Sequence, residues 1–494
     1  MRVPRALATG PATGPIDSSP SQQYPDAMAH PARVVTAAWC GLIGAALALL
    51  PMAQAKGQSG ADEQTRRATA EPSYVRGVEE QGEEEYDAAR TAADVLLFVP
   101  RHVVDLLFEG TVAAAGLVRD EQLVPRYEEA LSTPSGQLYV FPTLFVETGA
   151  PLNFGARAIA KAGAVTTSFR LGYGIPSDYA FEGRVRYLGL GALPFVLMLE
   201  GLAERDLNRE YLGVGQSPAT DPRNHFLQPD GGQRSGLYSE QKVRLIGSVG
   251  VRASRIAELF LSASLTRRTI HDMPDAGDQA LSQVFAPASV GTAFDERWVG
   301  YYECAGRLDS RPTRGRPSPG ALAEGYFGAA VVPATSGTLD DRDVMFWRLG
   351  GRVAGFIPIY RRTNILSPRL AIDRLVSLGG PAVPFTELPR QPDFRGFDNR
   401  RDGLSLVASL DYSWQLVDFL GVRVFADTAT TAPSTAELSV EQLKELRFAI
   451  GTGLDLFVTS DDVGQLAFSA SPEGVRVLLS VGVPSDYGDR QHRE

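Results

Sequence analysis

The stretch Leu404-Ser405-Leu406-Val407-Ala408-Ser409-Leu410-Asp411-Tyr412-Ser413-Trp414 alternates two kinds of side chain with a period of two residues. This period predicts a β-strand, because successive side chains of a strand point to opposite faces. One face is apolar, whereas the other carries mostly serines and Asp411. A soluble β-sandwich and a membrane β-barrel both show such alternation, so the choice between them depends on the rest of the chain.

Sixteen segments from Gln137 onward, this one included, have the length and the side-chain alternation of strands. They are 137–148, 154–162, 166–173, 179–188, 194–203, 237–251, 255–268, 299–308, 321–333, 343–357, 363–377, 404–416, 421–429, 445–458, 464–470 and 474–483. Single-chain bacterial outer-membrane barrels have an even number of antiparallel strands. The sequence therefore predicts an all-β fold, a 16-stranded antiparallel transmembrane β-barrel over residues 135–484.

The lengths of the connections agree with a membrane barrel, which has short periplasmic turns and longer outer loops. With both termini in the periplasm, the outer connections are the long ones: 204–236, 269–298, 334–342, 378–403 and 430–444. Inner turns such as 163–165 and 252–254 are short, with the connection 309–320 as an exception.

Composition excludes several other classes of protein. The formal net charge of -10 argues against nucleic acid as a partner, and the 50 glycines suit a chain with many turns. Of the two cysteines, Cys40 lies in an N-terminal apolar run and leaves Cys304 alone, so no disulfide is predicted.

The N-terminal residues have the pattern of an export signal. Arg33 precedes the apolar run 34–50, and Ala53-Gln54-Ala55 supplies the small residues that signal peptidase requires. Residues 1–55 are therefore predicted to be a signal peptide cleaved after Ala55, and the unusual residues 1–27 indicate a start at Met28. Retention of the run as a membrane anchor is the alternative.

Two further segments precede the barrel, and a polar tail, 485–494, follows it. Residues 56–90 are polar and predict a disordered periplasmic linker. Residues 91–134 carry apolar side chains at helical spacing, interrupted by Pro100 and Gly110, and predict short amphipathic helices. We expect these helices at the periplasmic rim or in the membrane interface, with a plug in the lumen as the alternative.

Several short motifs occur at the ends of the predicted strands and in the long connections. They are Leu378-Gly379-Gly380, Phe394-Arg395-Gly396-Phe397 and Leu410-Asp411-Tyr412, then Val424-Phe425-Ala426-Asp427, Leu308-Asp309-Ser310-Arg311 with Pro319-Gly320, and Tyr211-Leu212-Gly213-Val214-Gly215. Together they resemble the motifs of one family of barrels, the BamA/TamA outer-membrane assembly barrels, also called bacterial surface antigens. The resemblance covers about 137–483. Family members carry POTRA modules before the barrel, whereas residues 56–136 contain no convincing strand pair, so none is predicted here.

The resemblance implies that Arg395 engages the inner wall of the barrel. Asp411 and Asp427 both fall on the lumen faces of their strands, so a loop folded inward could place the Arg395 guanidinium between them. Gly396 is expected to let the tip of the loop turn sharply. An arginine in an ordinary solvent-exposed loop is the alternative.

The contact between the first and last strands is a second candidate site. Pro142 cannot donate a ladder hydrogen bond and is expected at an edge, and the short last strand contains Gly474 and Gly482. In the resembling family this seam opens sideways to admit or release client strands, a form of strand addition. A permanently closed seam is the alternative.

These patterns predict a barrel of the bacterial outer membrane, with its N-terminal segment in the periplasm, that inserts or exports protein clients. The expected partners are outer-membrane lipid and client strands, whereas the need for other assembly subunits stays open. The alternative is a passive or ligand-gated pore. No catalytic residue, cofactor or metal is predicted, because the histidines His30, His102, His225, His271 and His492 neither cluster nor accompany a nucleophile motif.

Overall fold

The structure is a computed structural model that describes residues 132–481, apart from 134, 149–151, 175–177, 191–192, 228–234, 291–293, 295, 313–317, 334–342, 360–362, 380–381, 392–393, 398, 418, 439–444 and 458–462. The signal peptide with Ala53 and Ala55, the linker 56–90, nearly all of 91–134, Gly482 and the tail lie outside the described residues. The expectations for them stay predictions. In the part described, no helix is both long and apolar enough to cross a bilayer.

Sixteen antiparallel strands follow one another around a closed ring, and β1 pairs with β16 to complete it. The fold predicted from the sequence is therefore confirmed. The strands are β1 Leu138–Glu147, β2 Asn153–Ala162, β3 Val165–Gly174, β4 Asp178–Leu190, β5 Leu193–Tyr211, β6 Gly236–Arg252, β7 Ala257–Asp272, β8 Arg297–Asp309, β9 Gly320–Val332, β10 Val344–Pro358, β11 Asn364–Ser377, β12 Leu404–Val417, β13 Leu420–Ala432, β14 Arg447–Phe457, β15 Val463–Ser471 and β16 Gly474–Val481.

The largest difference from the predicted strands lies in β5. Its expected end at residue 203 is wrong, because the strand continues to Tyr211. The charged residues of this stretch led to the prediction of a loop. The charges of this stretch are satisfied on the inner wall: Glu204 pairs with Lys242 of β6 at 2.5 Å, and Arg209 pairs with Glu240 at 3.2 Å. A charged run therefore does not end a strand whose neighbours carry the opposite charges.

The two faces of the wall differ in polarity as a membrane barrel requires. Large apolar side chains are exposed on the outer face, with Leu261 and Ile450 each 64% exposed. Charged side chains such as Glu200, Glu240 and Lys242 lie on the inner face and are each only 1% exposed. An apolar exterior around a polar lumen is the arrangement that a lipid bilayer stabilises.

The connections divide the barrel into two ends. One end, the long-loop rim, carries the connections 212–235, 273–296, 333–343, 378–403 and 433–446, and two short helices, α1 Leu281–Val284 and α2 Pro287–Val290, lie in the second of these. The other end carries short turns, such as 163–164 between β2 and β3. The connection 310–319 is the longer exception at this end.

The motif Asp309-Ser310-Arg311 lies at the start of the connection 310–319. Arg311 donates two side-chain hydrogen bonds of 3.0 Å to the carboxylate of Asp309, and its guanidinium lies 4.5 Å from the centre of the Phe356 ring. Gly320 has a φ of +154° and lies where a Cβ atom would be 2.9 Å from Arg311. The motif is therefore a buried structural ion pair at a turn.

Replacement of Arg311 by Ala is expected to destabilise the barrel by about 3–5 kcal/mol, because it removes the guanidinium that pairs with the buried carboxylate of Asp309. Urea unfolding in detergent or lipid, followed by loss of the compact band in unheated gels, measures the change. Arg267→Ala is the matched control, since the Arg267–Glu296 pair is far more exposed and its loss should cost about 1 kcal/mol or less. Equal effects of the two substitutions would contradict the prediction.

Candidate functional site

The connection 378–403 folds into the lumen, and its tip is the tetrapeptide Phe394-Arg395-Gly396-Phe397. Phe394 is only 1% exposed and packs in a cluster with Val407 of β12, Ala429 of β13 and Ala449 of β14. Val407 therefore faces inward beside the serines of its strand, and it receives the ring of the tip. This apolar contact fixes the tip against the inner wall.

Arg395 lies between the two aspartates that the sequence singles out. Its Nε and Nη2 donate to the Asp427 carboxylate at 2.8 and 2.5 Å, and its backbone N–H donates to the same carboxylate at 3.0 Å. Its Nη2 also lies 2.6 Å from Asp411 in an ion pair. The guanidinium stacks 3.7 Å from the centre of the Phe425 ring. A planar fork that pairs and stacks at once is a geometry that Arg provides and Lys does not.

The register of β12 and β13 explains why both carboxylates meet one arginine. Asp427 lies opposite Ser409, and Asp411 is two residues further along β12, so the two aspartates are diagonal neighbours on the same face. Arg369 of β11 forms a second ion pair with Asp411. Asp427 has a fully buried side chain, and it depends most on Arg395 for compensation.

The main-chain carbonyl groups of the tip are held by side chains from the last strands. Ser469 of β15 donates to the Arg395 carbonyl at 2.5 Å, Arg447 of β14 donates to the Phe397 carbonyl at 2.5 Å, and Arg476 of β16 donates to the Gly396 carbonyl. The tip therefore spans the inner wall from β12 to β16.

Gly396 is required for a reason other than the expected one. Its φ is not positive, so the tip needs no special turn conformation at this residue. A Cβ atom there would instead lie 2.5 Å from the Phe394 ring and 3.2 Å from the Ala449 side chain. The chain does bend at Arg395 and Gly396, but glycine is needed here because it allows close packing of the tip, not because it gives a positive φ.

The neck of the loop, defined as Phe385, Arg401 and Asp402, lies against a different part of the barrel. Arg401 donates to the Phe385 carbonyl at 3.2 Å and to the Tyr238 hydroxyl of β6 at 3.0 Å. The Phe385 ring packs against Tyr211 of β5 with 4.2 Å between ring centres. The hydrogen bond between Arg401 and Phe385 closes a smaller loop, 385–401, whose far end is the tip.

The connection 212–235 supports the neck from the side. Arg223 makes a double hydrogen bond to Asp402 at 2.9 and 2.8 Å, and the Gly215 N–H donates to the Arg401 carbonyl at 3.0 Å. Hydrogen bonds to Asp402 and then to Asp221 raise the pKa of Arg223 above its usual value. Burial raises the pKa of Asp221, but its bonds from Arg223 outweigh this and lower it, so the Asp221 contact is lost only as the pH falls into the acid range.

Two glycines shape this supporting segment. Gly213 and Gly215 have φ values of +98° and +95°, which side chains rarely adopt. A Cβ atom on Gly213 would also lie 2.6 Å from the Asn224 side chain, whose amide bonds the Val214 N–H and carbonyl at 2.9 Å each. The Tyr211-x-Gly213-x-Gly215 motif is thus a backbone requirement of the loop support.

We expect Gly213→Ala to detach the 212–227 segment from the neck and to increase protease cleavage within it, because the new Cβ displaces Asn224. Gly379→Ala is a matched control, since Gly379 has nearly the same φ, +99°, but nothing within 4 Å of the added Cβ. Limited proteolysis of the two folded variants measures the difference. Similar cleavage in both would show that φ alone, rather than the Asn224 contact, controls the segment.

The ring order places the neck and the tip on opposite sides of the lumen. The neck contacts β5 and β6, whereas the tip contacts strands from β12 to β16, and β6 and β14 are eight positions apart in a ring of sixteen. Thr386 and Glu387, beside the neck, also line a cavity of about 100 Å³ along β6 to β10. The loop therefore crosses the lumen.

The seam, defined as the contact of β1 with β16, has a short ladder in the described residues. Only four opposed pairs are present, Leu144 to Glu147 against Val481 to Leu478, compared with seven between β15 and β16. Pro142 is exposed and precedes this ladder, with Ala156 of β2 as its partner on the other side. A Cβ on Gly474, at the start of β16, would lie 3.5 Å from the Phe397 ring of the tip.

The motifs do not indicate the residues that contact the tip carbonyls and the neck: Ser469, Arg447, Arg476, Arg401, Asp402, Arg223 and Tyr238. They come from six separate parts of the chain, and no spacing in the sequence connects them. Within the described ranges, no group of three or more His, Cys, Asp or Glu side chains is arranged as metal ligands.

No protein-family model matches the chain, and no curated protein matches it. Among solved structures, it is similar to BamA from Haemophilus ducreyi lacking POTRA domains 1-3, with 11% identity, 70% of each chain covered and a TM-score of 0.47. It is also similar to CdiB from Acinetobacter baumannii, with 8% identity, coverage of 70% of this chain and 59% of that one, and a TM-score of 0.43. CdiB from Escherichia coli matches with 9% identity, coverage of 69% and 62%, and a TM-score of 0.40.

The chain thus spans less than two thirds of either CdiB chain. A BamA structure is among these neighbours, and BamA belongs to the family that the motifs resemble. At these identities and TM-scores the neighbours say nothing about what this barrel transports or inserts. Its function has to be inferred from its own residues.

Proposed function

We propose that this chain is a bacterial outer-membrane barrel that inserts or exports protein clients, through a lumen gated by the 378–403 loop and through an opening seam. The observation that carries the proposal is the position of the loop tip. It is bound to the inner wall from β12 to β16 and ends beside the first residue of the closing strand. Gate and seam therefore share the strand β16.

The bonds that hold the tip are of a kind that a polypeptide client can replace. Ser469, Arg447 and Arg476 donate to main-chain carbonyl groups of the tip, and any extended peptide offers the same acceptors. An incoming segment could thus take over these donors without leaving them unpaired in the lumen. Such an exchange lowers the cost of displacing the tip, because buried donors without acceptors are expensive.

The short seam supports the second half of the proposal. Within the described residues, β1 and β16 form four opposed pairs and one further main-chain hydrogen bond, from the Thr148 N–H to the Val477 carbonyl at 3.0 Å, and opening of the seam would break these. The freed edges of β1 and β16 would offer N–H and C=O groups to a client strand, which is the general mode of strand addition. The apolar outer face places these edges in lipid, where a client strand needs partners for every main-chain group.

A pore is the second candidate function, and the cavity beside the neck favours it. The cavity combines arginines, hydroxyl groups and tyrosines under Thr386 and Glu387, so a polar solute could reach the loop from inside the lumen. In a pore the loop would narrow a permanent channel, whereas in a translocator it would close the channel at rest.

Two measurements on the purified barrel separate these functions. A photo-crosslinking residue at Val140, on β1 before the seam ladder, should trap protein segments from cell extracts if client strands add to this edge. Planar-bilayer recordings of the intact chain should then show small currents that grow when residues 378–403 are replaced by a short linker. Large, stable currents from the intact chain and an absence of trapped protein would favour the pore and contradict the translocator.

A further inference from the structure

We propose that Arg401 is a positioning residue that holds the neck of the loop on the β5–β6 wall, so that the tip swings about this neck and the passage opens beside β12–β16 alone. The inference rests on the proposed function only in taking the loop as the moving part. It assigns a side of the lumen to the passage, and it gives a role to an arginine outside the tip motif.

The neck has the more deeply buried arginine and the larger apolar cluster: the Arg395 side chain of the tip is 16% exposed, and Phe394 packs in a cluster of four buried residues, against eight in the cluster of the neck. Arg401 is 3% exposed and Phe385 is 3% exposed, and the latter belongs to an apolar cluster in which Tyr211 and Tyr238 are fully buried. Burial of aromatic side chains stabilises an attachment in proportion to the apolar area removed from water. The guanidinium of Arg401 lies 5.5 Å from the centre of the Phe385 ring and donates to the Tyr238 hydroxyl, so it contacts two members of that cluster.

The two attachments also differ in the partners they depend on. The tip is held by the small cluster around Phe394, by ion pairs and by side-chain bonds to its carbonyl groups. A client or water can compete for the ion pairs and for the bonds to the carbonyl groups. The neck is held by packed rings, by the Arg223–Asp402 pair, and by the main-chain hydrogen bond from Gly215 to the Arg401 carbonyl. We therefore expect the tip to leave the wall while the neck stays.

Geometry then decides where space appears. Because Arg401 bonds the Phe385 carbonyl, residues 385 and 401 move as one base, and the chain between them carries the tip. Displacement of that segment uncovers Ser469 on β15, which the tip contacts. Thr386 and Glu387, which directly follow Phe385, stay with the base, so the cavity that they line together with Thr266 of β7 stays covered. The opened side is the one next to the seam, where a client strand would leave the lumen.

Cysteine labelling on the two sides tests the inference in the full-length barrel in lipid vesicles. Cys40 and Cys304 are first replaced by Ser, and a single probe is introduced as Ser469→Cys or Thr266→Cys, two inner-wall hydroxyl residues that are 6% and 8% exposed. A charged maleimide of fixed size is the reagent. Arg395→Ala should raise the labelling rate of Ser469→Cys by about tenfold or more, a factor that corresponds to about 1.4 kcal/mol. The labelling rate of Thr266→Cys should change by less than about twofold in the same variant.

Release of the neck should then increase the labelling rate of the Thr266→Cys probe. Addition of Arg401→Ala to Arg395→Ala is expected to raise labelling of Thr266→Cys by about tenfold as well. If that double variant does not assemble, Tyr238→Phe replaces Arg401→Ala, because it removes the hydroxyl acceptor and keeps the ring. Equal labelling of both probes in Arg395→Ala alone, or no response of Thr266→Cys to loss of the neck bonds, would overturn the inference. Labelling reports movement of the loop whether the barrel passes protein or solute, so a failure here is distinct from a failure of the proposed function.

Discussion

A disulfide across the seam is expected to reduce client insertion to the level of vesicles without the barrel. Phe145 and Ser480 lie directly opposite each other on β1 and β16. Opposed residues have Cβ atoms about 4.5–5.5 Å apart, close to the separation of about 3.5–4.5 Å in a disulfide. Phe145→Cys and Ser480→Cys, in a chain with Cys40 and Cys304 replaced by Ser, should therefore join the strands covalently. The measurement is folding of a client barrel into vesicles, with and without reductant.

The control for this experiment is a disulfide at the neighbouring strand pair. Phe468 and Val477 are opposed on β15 and β16, so Phe468→Cys with Val477→Cys adds the same bond without closing the seam. This variant should keep its activity, and the seam variant should regain activity when reduced. Full activity of the oxidised seam variant would show that the seam stays closed during function and would remove half of the proposed mechanism.

Replacement of Arg395 by Ala is expected to give the largest change in current through the barrel. It leaves the fully buried Asp427 and the nearby Asp411 without their shared partner, and loss of one member of a buried pair costs about 3–5 kcal/mol. The tip should leave the wall for much of the time, so single-channel recordings should show larger and longer openings. Arg395→Lys keeps the charge but lacks the fork and the stacking on Phe425, and it should restore only part of the closed state.

Arg400 offers a matched control within the same loop. Its ion pair with Glu473 measures 2.8 Å, but Glu473 is a partly exposed residue of the β15–β16 turn. Partly exposed pairs contribute about 1 kcal/mol or less, so Arg400→Ala should leave the current near that of the unchanged barrel. If Arg400→Ala opens the barrel as much as Arg395→Ala, the ion pairs of Arg395 with Asp411 and Asp427 are not what keeps the barrel closed.

Much of the barrel follows from local pattern because its strands alternate between lipid and lumen. A β-strand forces neighbouring side chains to opposite faces, so the pattern of β12 shows its two faces without any knowledge of partners. The same rule failed at β5, where charged residues continue the strand beyond residue 203. The reason is that Lys242 and Glu240 of β6 supply the opposite charges, and pairing between strands cannot be read from one strand.

The sequence predicts the contacts of the tip but not those of the neck, for a similar reason. Arg395, Asp411 and Asp427 stand in motifs of their own, and the faces of the two aspartates follow from alternation. Arg401 has no such context, because its partners Phe385 and Tyr238 are set by how the loop crosses the lumen. The bonds of Ser469 and Arg476 to the tip carbonyls depend likewise on the closed ring, which brings β15 and β16 beside β12.

The sequence by itself determined the sixteen strands, their lipid and lumen faces, and the long loop that carries Arg395. These features depend on interactions between residues close together in the chain and on the solvent that each face meets. The tertiary structure alone decided that the loop spans the lumen, that its tip ends at β16, and that the described ladder of the seam has four pairs. Those features depend on ring closure and strand register, which join residues hundreds of positions apart and leave no local period in the sequence.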